Sequence, residues 1–258
     1  MRVLVTGGTG RLGRELLRAP APGFSWRVLS RQAQRGAGAL EWATGDFVSG
    51  AGLGEAVREV DAVLHLASDS RNPAAVDVEG TRKLLTACKT AGVRHFLYIS
   101  IIGVDAIPYP YYRAKLEVER LVEAAGIPWS VLRVAQFHAF LDFLLHQAAR
   151  VPLVMVVPAR WLIQSVDEAE VAARVLRALR AGPGGRLTDY AGPEIRSIGQ
   201  AAVLWRRSRN VRKPLLPLPL PGKMSAAERA GCATAPGGEL GSVTWARWLA
   251  RHYGGPET

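Results

Sequence analysis

The sequence predicts an α/β protein with a doubly wound parallel sheet and a small C-terminal lobe. Short β-branched or leucine-rich runs alternate with helix-length segments through the first half of the chain. Such alternation is typical of parallel strands whose crossover helices cover both faces of the sheet. The chain has 258 residues, of which 48% are hydrophobic, so it can bury one full core.

Five strands of this sheet are predicted from short apolar runs, at residues 2–5, 25–29, 62–66, 95–99 and 129–133. Helical periodicity between them predicts helices at 12–18, 74–91 and 111–125. The last two helices stop before Gly92 and Gly126, because glycine adopts the left-handed conformation that ends many helices.

The pattern loosens after Arg133, and the predicted elements become shorter. Helices are expected at 137–148, 167–181, 224–230 and 241–252, with short apolar pieces at 153–157 and 161–163. Four prolines between residues 214 and 221 exclude a helix or a central strand over that stretch. Residues 1–150 are assigned to the sheet core, and residues 151–258 to elements that complete the core and add the lobe, within a single compact unit.

A glycine-rich segment links the first strand to the first helix. Gly7 permits a tight turn, Gly10 lets the backbone approach a diphosphate, and Gly13 allows the helix to pack closely on the strand. The N-terminus of the helix adds N–H donors and a favourable dipole for an anion. The segment predicts a Rossmann-type dinucleotide site, whose expected contacts are Thr6, Gly7, Thr9, Gly10, Arg11, Leu12 and Gly13.

The end of the second strand bears on the choice of dinucleotide. An NAD site places Asp or Glu there to hold the ribose 2′-hydroxyl, whereas this sequence has Ser30 and Arg31. A guanidinium binds a 2′-phosphate through charge-assisted hydrogen bonds and stacks beside adenine. We therefore expect NADP(H) to be preferred over NAD(H), with Arg11 or Arg35 as further candidate contacts.

Two more strand ends are expected at the same crevice, because ligands bind at the carboxyl edge of an open parallel sheet. Asp46 and Phe47 follow a further expected strand, which ends before Gly45 and is the third in chain order, and they are expected beside adenine. His65 is interpreted as packing within the fourth strand. The residues expected beside the diphosphate and ribose come directly after it; they are Leu66, Ala67 and Ser68.

Tyr111 and Lys115 are four residues apart on a predicted helix and hence lie on one face. A phenol is a poor acid–base group at neutral pH unless a cation stabilises its phenolate. Lys115 can supply that cation and hold the nicotinamide ribose, while Ser100, at the end of the fifth strand, can orient a substrate carbonyl or the tyrosine. These residues predict hydride transfer at a carbonyl carbon with Tyr111 as acid or base, and Tyr112 is the alternative phenol.

Residues 6–13 (TGGTGRLG), 61–68 (DAVLHLAS), 78–81 (VEGT) and 111–115 (YYRAK) resemble an atypical or extended short-chain dehydrogenase/reductase of the NmrA-like NAD(P)-binding group. The stretch 126–133, followed by Gln136 and Phe137, is similar to that group's sixth strand and the loop after it. The resemblance implies that this loop passes near the nicotinamide. Residues 164–172 are similar to the segment that leads into a later helix of the group.

Two residues depart from the family pattern. Asp77 stands where many relatives have an asparagine that helps to organise a proton relay, and Ser165 replaces the usual proline. Many NmrA-like proteins have lost the tyrosine–lysine pair and act as cofactor-binding redox sensors. Retention of Tyr111 and Lys115 therefore favours an enzyme.

These observations predict an NADP(H)-dependent oxidoreductase that acts on a small carbonyl, alcohol or quinone-like substrate. The alternative is a non-catalytic NADP(H)-binding redox sensor that passes its state to a protein partner. An apolar substrate pocket is expected, with walls from Ile102, Gln136, Phe137, Phe140, Trp161 and the 214–221 loop.

The net charge of +11 comes mainly from arginine and permits anionic partners. No helix-turn-helix, zinc or RNA-binding pattern accompanies the basic segment 206–213, so nucleic acid is not expected as a partner. Cys88 and Cys232 fit no disulfide or metal spacing. Because no signal peptide or membrane-length apolar run is found, a cytoplasmic protein with no metal and no membrane partner is expected.

Overall fold

The computed structural model describes residues 1–32 and 40–254, which form two units built from interleaved stretches of chain. Unit 1 comprises Met1–Ser100, Pro110–Arg133 and Ala172–Leu187. Unit 2 comprises Ile101–Tyr109, Val134–Val171 and Thr188–Thr258. The division after residue 150 that the sequence suggests stays a prediction.

The described residues contain thirteen strands, several of them only two or three residues long. In chain order they are β1 Arg2–Thr6, β2 Ser25–Ser30, β3 Glu41–Thr44, β4 Ala62–His65, β5 His95–Ile101, β6 Trp129–Val134, β7 Met155–Val157, β8 Leu162–Ile163, β9 Gly185–Arg186, β10 Tyr190–Ala191, β11 Arg196–Ser197, β12 Leu215–Pro217 and β13 Glu239–Leu240.

Nine α-helices lie in the same described part of the chain. They are α1 Arg11–Arg18, α2 Leu53–Ala56, α3 Gly80–Ala91, α4 Pro110–Ala124, α5 His138–Ala149, α6 Glu168–Ala181, α7 Ile198–Ser208, α8 Lys223–Arg229 and α9 Trp245–Tyr253. A π-helix over Ala74–Glu79 runs directly into α3.

The sheet of unit 1 has the strand order β6-β5-β4-β1-β2-β3, and β9 pairs with the outer side of β6. The registers of β1 with β2 and β4, of β2 with β3 and of β4 with β5 are all parallel. Val3, Leu4 and Val5 of β1 are fully buried, as in a strand covered on both faces. The predicted α/β fold with a Rossmann-type parallel sheet is confirmed.

The core of unit 1 joins the sheet to its helices. Phe96 and Tyr98 of β5 pack in one apolar cluster with Val118 and Val122 of α4. These α4 residues are spaced four apart, so they lie on one buried face of the helix.

The strands of unit 2 are only two or three residues long. Tyr190 of β10 pairs with Val134, the last residue of β6, and β13 extends this pairing. Two further two-stranded sheets pair β11 with β8 and β12 with β7. Trp205, Trp245 and Trp248 fill the apolar cluster of this unit. No helix among the described residues is long and apolar enough to cross a membrane.

Two parts of the helical prediction differ from the structure. The single helix expected at 74–91 begins as a π-helix, whose wider turn faces Asp77 into the protein, where this side chain is buried. The helix α7 was absent from the sequence prediction, although Ser197 and Gln200 form a complete capping box at its start.

Candidate cofactor and reaction site

The loop between β1 and α1 requires glycine at two positions for steric reasons. Gly7 has a φ of +69°, and a Cβ there would lie 2.7 Å from the backbone nitrogen of Ala67. A Cβ on Gly13 would lie 2.5 Å from the carbonyl oxygen of Gly7. The loop therefore folds back on itself and on the chain after β4, as predicted from the glycine pattern.

The first turn of α1 can accept an anionic ligand. This helix of eight residues lies wholly among the described residues, and its N-cap, Gly10, makes no side-chain capping hydrogen bond. The first turn contains no acidic residue. The N–H of Gly10 donates to the Gly7 carbonyl oxygen at 2.9 Å. Thr9, Gly10 and Arg11 are exposed, so the positive end of the helix dipole is accessible to a phosphate group.

A cleft of about 560 Å³ opens beside this loop, within unit 1. Its lining contains predicted cofactor residues from all four chain segments, namely Gly7, Thr9, Gly10, Ser30, Arg31, Asp46, Phe47, Leu66, Ala67 and Ser68. Six lining residues were not predicted; they are Leu29, Gln32, Gly45, Val48, Asp69 and Val76. The cleft has the size of a small-molecule or cofactor site.

The remaining predicted cofactor residues do not line this cleft: Thr6, Arg11, Leu12, Gly13, Lys115 and Gln136. Leu12 and Gly13 are buried under the loop, where they support its shape. Thr6 is also buried, and its Oγ1 accepts hydrogen bonds from the backbone N–H groups of Leu66 and Ala67, each at 3.2 Å. Thr6 thus ties β1 to the far wall of the cleft.

The corner where a 2′-phosphate is expected carries one positive charge. Ser30 and Arg31 line the cleft, and the Arg31 side chain is exposed. Hydrogen bonds from Ser49 hold the pKa of Asp46 below its usual value, and the charge of Arg31 adds to this effect. Arg35 lies outside the described residues.

His65 is a packing residue, as expected. Its ring nitrogens hydrogen-bond the hydroxyls of Thr6, at 2.7 Å, and Thr81, at 2.9 Å. Burial, together with the charge of Lys115, lowers the pKa of His65 to about 3. The ring is therefore neutral at physiological pH and braces the end of β4 against α3.

A hydrogen-bonded chain joins the cleft to the start of α4. Ser68 Oγ lies 2.7 Å from Tyr111 Oη and donates to Asp77 Oδ1 at 2.5 Å. The other oxygen of Asp77 accepts from the backbone N–H of Asp69 at 2.9 Å. Because the single proton of Ser68 is directed at Asp77, the Tyr111 hydroxyl donates to Ser68. Ser68 lines the cleft, so the phenol borders it.

Lys115 is the fourth residue of this cluster, and its side chain is buried. Its Nζ lies 3.8 Å from Asp77 Oδ1, 4.9 Å from the ring centre of Tyr98 and 5.8 Å from that of Tyr111. Burial lowers the pKa of Lys115 to about 8, while the charges of Asp77 and Glu119 oppose this shift. The lysine is therefore mostly protonated at neutral pH and faces the phenol from one side.

The two candidate phenols have different environments. Tyr112 is buried in the helix packing, whereas Tyr111 is half-exposed and contacts Ser68. Ser100 is buried, and its Oγ makes no hydrogen bond with any described residue. The structure thus joins Tyr111 and Lys115 to Ser68 and Asp77, and the role of Ser100 stays a prediction.

The predicted substrate residues lie in unit 2. Ile102 is buried, Gln136 and Phe137 are half-buried before α5, and Phe140 is exposed on that helix. The indole N–H of Trp161 donates to Ser225 Oγ at 2.9 Å. Their place in a substrate pocket stays a prediction. Over residues 1–32 and 40–254, no group of three or more His, Cys, Asp or Glu is placed to hold a metal ion.

Comparisons with known proteins identify the family of this chain. The sequence model of the NAD(P)H-binding family matches residues 7–180. The chain is 32% identical over 224 residues to a (4-alkanoyl-5-oxo-2,5-dihydrofuran-3-yl)methyl phosphate reductase of Streptomyces griseus, an alignment that covers 83% of this chain and 75% of the relative. It is also 32% identical over 147 residues to the photosystem II assembly factor Ycf39 of Synechocystis, covering 53% of this chain and 45% of that protein.

Among solved structures, the chain is similar to an NADPH-dependent quinone oxidoreductase, QOR2, of Escherichia coli. The TM-score is 0.76, and the superposition covers 96% of this chain and 98% of the other at 20% sequence identity. At this identity the similarity is evidence of a common fold.

Proposed function

Because this chain belongs to the NAD(P)H-binding family, within the atypical short-chain dehydrogenase/reductase group, we propose that it is an NADP(H)-dependent oxidoreductase of small carbonyl, alcohol or quinone-like compounds. The observation that carries the proposal is the contact between Tyr111 Oη and Ser68 Oγ at 2.7 Å. It brings a phenol that can act as acid or base to the wall of the cleft proposed for the dinucleotide.

The dinucleotide is held mainly by the backbone of the phosphate loop. Thr9 and Gly10 place the diphosphate at the N-terminus of α1, whose dipole attracts an anion, while Asp46 and Phe47 border the adenine end of the cleft. Arg31 is the determinant of preference for the 2′-phosphate, since a cation at this corner attracts that group. When bound, the cofactor supplies or accepts the hydride.

In the direction of reduction, Tyr111 would donate its proton to the oxygen of the substrate carbonyl. The phenolate that remains is stabilised by the Lys115 ammonium. The Ser68 hydroxyl proton is donated to Asp77 before the reaction. After proton transfer the hydroxyl can rotate and donate the same proton to the phenolate oxygen of Tyr111. Lys115 thus stabilises charge, and Asp77 is a positioning residue for Ser68.

The substrate class is supported by the relatives rather than by a described pocket. One is named as a reductase of a furanone phosphate and one structural neighbour as a quinone oxidoreductase. Both names indicate reduction of a carbonyl-type or conjugated acceptor. The aromatic and aliphatic residues proposed as pocket walls favour an apolar acceptor.

Replacement of the phenol tests this proposal. NADPH oxidation is measured with a panel of quinones, ketones and enones for the native chain and for Tyr111→Phe. We expect turnover of the best substrate to fall by roughly 100-fold or more, because proton donation is lost, while NADPH binding is retained.

Tyr112→Phe is the matched control, since it removes a neighbouring buried hydroxyl from the same helix. It should keep turnover within about threefold of native. Equal activity of native chain and Tyr111→Phe would remove the phenol from the mechanism.

A redox sensor is the second candidate function. Its supporting observation is that the Tyr111 proton is engaged by Ser68, and one relative is named as an assembly factor. NADPH binding without turnover of any panel compound would favour the sensor over the enzyme.

A further inference from the structure

The positive charge of unit 2 is concentrated in one stretch of sequence that the cofactor site does not use. Residues 197–227 contain six Arg or Lys residues and no Asp or Glu, while Arg196, just before them, forms an ion pair with Glu194. The stretch covers α7, the segment after it, β12 and the start of α8. None of its residues lines the cofactor cleft.

This stretch meets a second segment that follows α5. The backbone N–H of Met155 donates to the carbonyl of Pro214 at 2.9 Å, and β7 pairs with β12 in parallel register. The Lys213 ammonium donates to the carbonyl oxygens of Ala149, at 2.7 Å, and Val151, at 2.9 Å. Residues 149–157 and 211–218 thus form one continuous surface.

Four apolar side chains stand out from this surface, which we call the leucine edge: Val151, Leu153, Leu216 and Leu218. Leu153 is 83% exposed, at a φ of +67°, and Leu216 is 51% exposed. Val151 and Leu218 are exposed at 40% and 42%. Single exposed leucines are ordinary on protein surfaces, but these four lie on two hydrogen-bonded segments, which concentrates exposed apolar side chains on this part of unit 2.

Cations border the leucine edge. Arg150 directly precedes Val151, Arg212 directly precedes Lys213, and Arg207 lies in the last turn of α7. These three guanidinium groups are exposed and make no ion pair with a described residue. The edge therefore combines protruding apolar groups with a positive rim.

We infer that the leucine edge docks onto the surface of a bilayer that contains anionic lipids. Leucine side chains enter the boundary between headgroups and acyl chains, while arginines stay at the level of the phosphates. The sequence expectation of no membrane partner rested on spanning segments, which this mode of binding does not need. The exposure of the leucines could not be known before the fold.

Charge separates this occupant from two others. A second copy of the chain would bring the same positive rim against itself, which is repulsive. Nucleic acid would take the arginines but leaves exposed leucines without a partner, since the bases are bound by stacking and hydrogen-bonding groups. An anionic bilayer offers acyl chains to the exposed leucines and phosphate groups to the arginines.

Co-sedimentation of the full chain with vesicles tests the inference. One set is made of phosphatidylcholine alone, and the other of phosphatidylcholine and phosphatidylglycerol in about equal amounts. We expect the bound fraction to be at least roughly tenfold higher on the anionic vesicles and to fall with added salt.

Two variants separate the contributions. Leu153→Ser with Leu218→Ser should lower binding to anionic vesicles by about tenfold, and Arg150→Gln with Arg212→Gln by a similar factor. Leu240→Ser is the matched control, because Leu240 is an exposed leucine of β13 outside the edge, and its binding should equal that of native chain. All variants must retain native circular dichroism.

Several results would overturn the inference. They are equal binding to both vesicle types, no binding to either, or unchanged binding of the leucine variant. Retention of duplex DNA that depends on the arginines alone would assign the edge to nucleic acid. A dimer in sedimentation analysis that the leucine variant dissociates would assign it to a second copy. None of these results depends on NADPH turnover, so the proposed enzyme activity is judged separately.

Discussion

The phosphate loop and the Tyr111 cluster lie in the same unit and serve the same proposed reaction, but they are built differently. The loop is one contiguous segment, Thr6 to Gly13, whose function depends on backbone groups and on the lack of side chains at Gly7 and Gly13. The cluster consists of four side chains, from Ser68, Asp77, Tyr111 and Lys115. Cofactor binding by the loop should therefore be sensitive to added atoms, whereas the chemistry of the cluster should be sensitive to a change of charge.

The largest effect is expected for Gly13→Ala. The added methyl group would lie 2.5 Å from the Gly7 carbonyl oxygen and 2.6 Å from the Gly8 Cα, so the loop must move away from the helix. We expect the free energy of unfolding to fall by about 2 kcal/mol and NADPH affinity to fall by roughly 100-fold or more. Chemical denaturation and fluorescence titration with NADPH measure the two quantities.

Gly54→Ala is the control for this substitution. Gly54 is a residue of α2, and a Cβ there meets nothing within 4 Å. The same methyl group should change stability by less than about 1 kcal/mol and leave NADPH binding intact. If Gly13→Ala binds NADPH as the control does, close packing of this loop is not what the site requires.

A smaller effect is expected for Arg31→Asp, which changes one side chain at the edge of the cleft. Loss of a charge-assisted pair and the added repulsion should weaken NADPH binding by about 2 kcal/mol, or roughly 30-fold. NADH lacks the 2′-phosphate, so its affinity should change by less than about threefold. Titration with both cofactors measures the ratio.

Arg14→Asp serves as the matched charge reversal, because Arg14 is exposed on α1 and does not line the cleft. It should lower the NADPH to NADH ratio much less than Arg31→Asp does. Equal weakening of both cofactors by Arg31→Asp would show that Arg31 does not select the 2′-phosphate.

The same contrast explains what the sequence could and could not predict. The loop was predictable because its glycines, the strand before it and the helix after it are neighbours in sequence. The strand ends at Ser30, Asp46 and Ser68 followed from one rule, that parallel strands present their carboxyl ends at one edge. All three line the cleft.

The contacts of the Tyr111 cluster could not be predicted in this way. Ser68 and Tyr111 are 43 residues apart, and their contact depends on the packing of α4 against the sheet. The inward orientation of Asp77 depends on a π-helix, whose residues have no periodicity that separates it from the start of α3. The sequence shows that Asp77 stands where many relatives have asparagine, but it does not show which residues contact the carboxylate. The Ser197–Gln200 capping box, in contrast, was a local signal for α7.

The smallest and most selective effect is expected for Asp77→Asn, which tests the cluster as the glycine change tests the loop. An amide keeps the shape of the carboxylate but removes the negative charge 3.8 Å from Lys115 Nζ. That charge raises the pKa of Lys115 against the larger opposite effect of burial, which brings it to about 8. Turnover that needs the ammonium is present below this pH and is lost as pH rises through it.

In Asp77→Asn the pKa of Lys115 is lower, so the alkaline loss of kcat should begin at lower pH, by about one unit. At pH 8 we expect kcat to fall by roughly fivefold while KM for NADPH is unchanged, because the phosphate loop is not touched. Glu117→Gln, on the exposed side of α4, removes one negative charge from the same helix and should leave the profile in place. A native pH profile in Asp77→Asn would mean that Asp77 only packs, and that Lys115 keeps its proton by other contacts, of which Glu119 is the first to test.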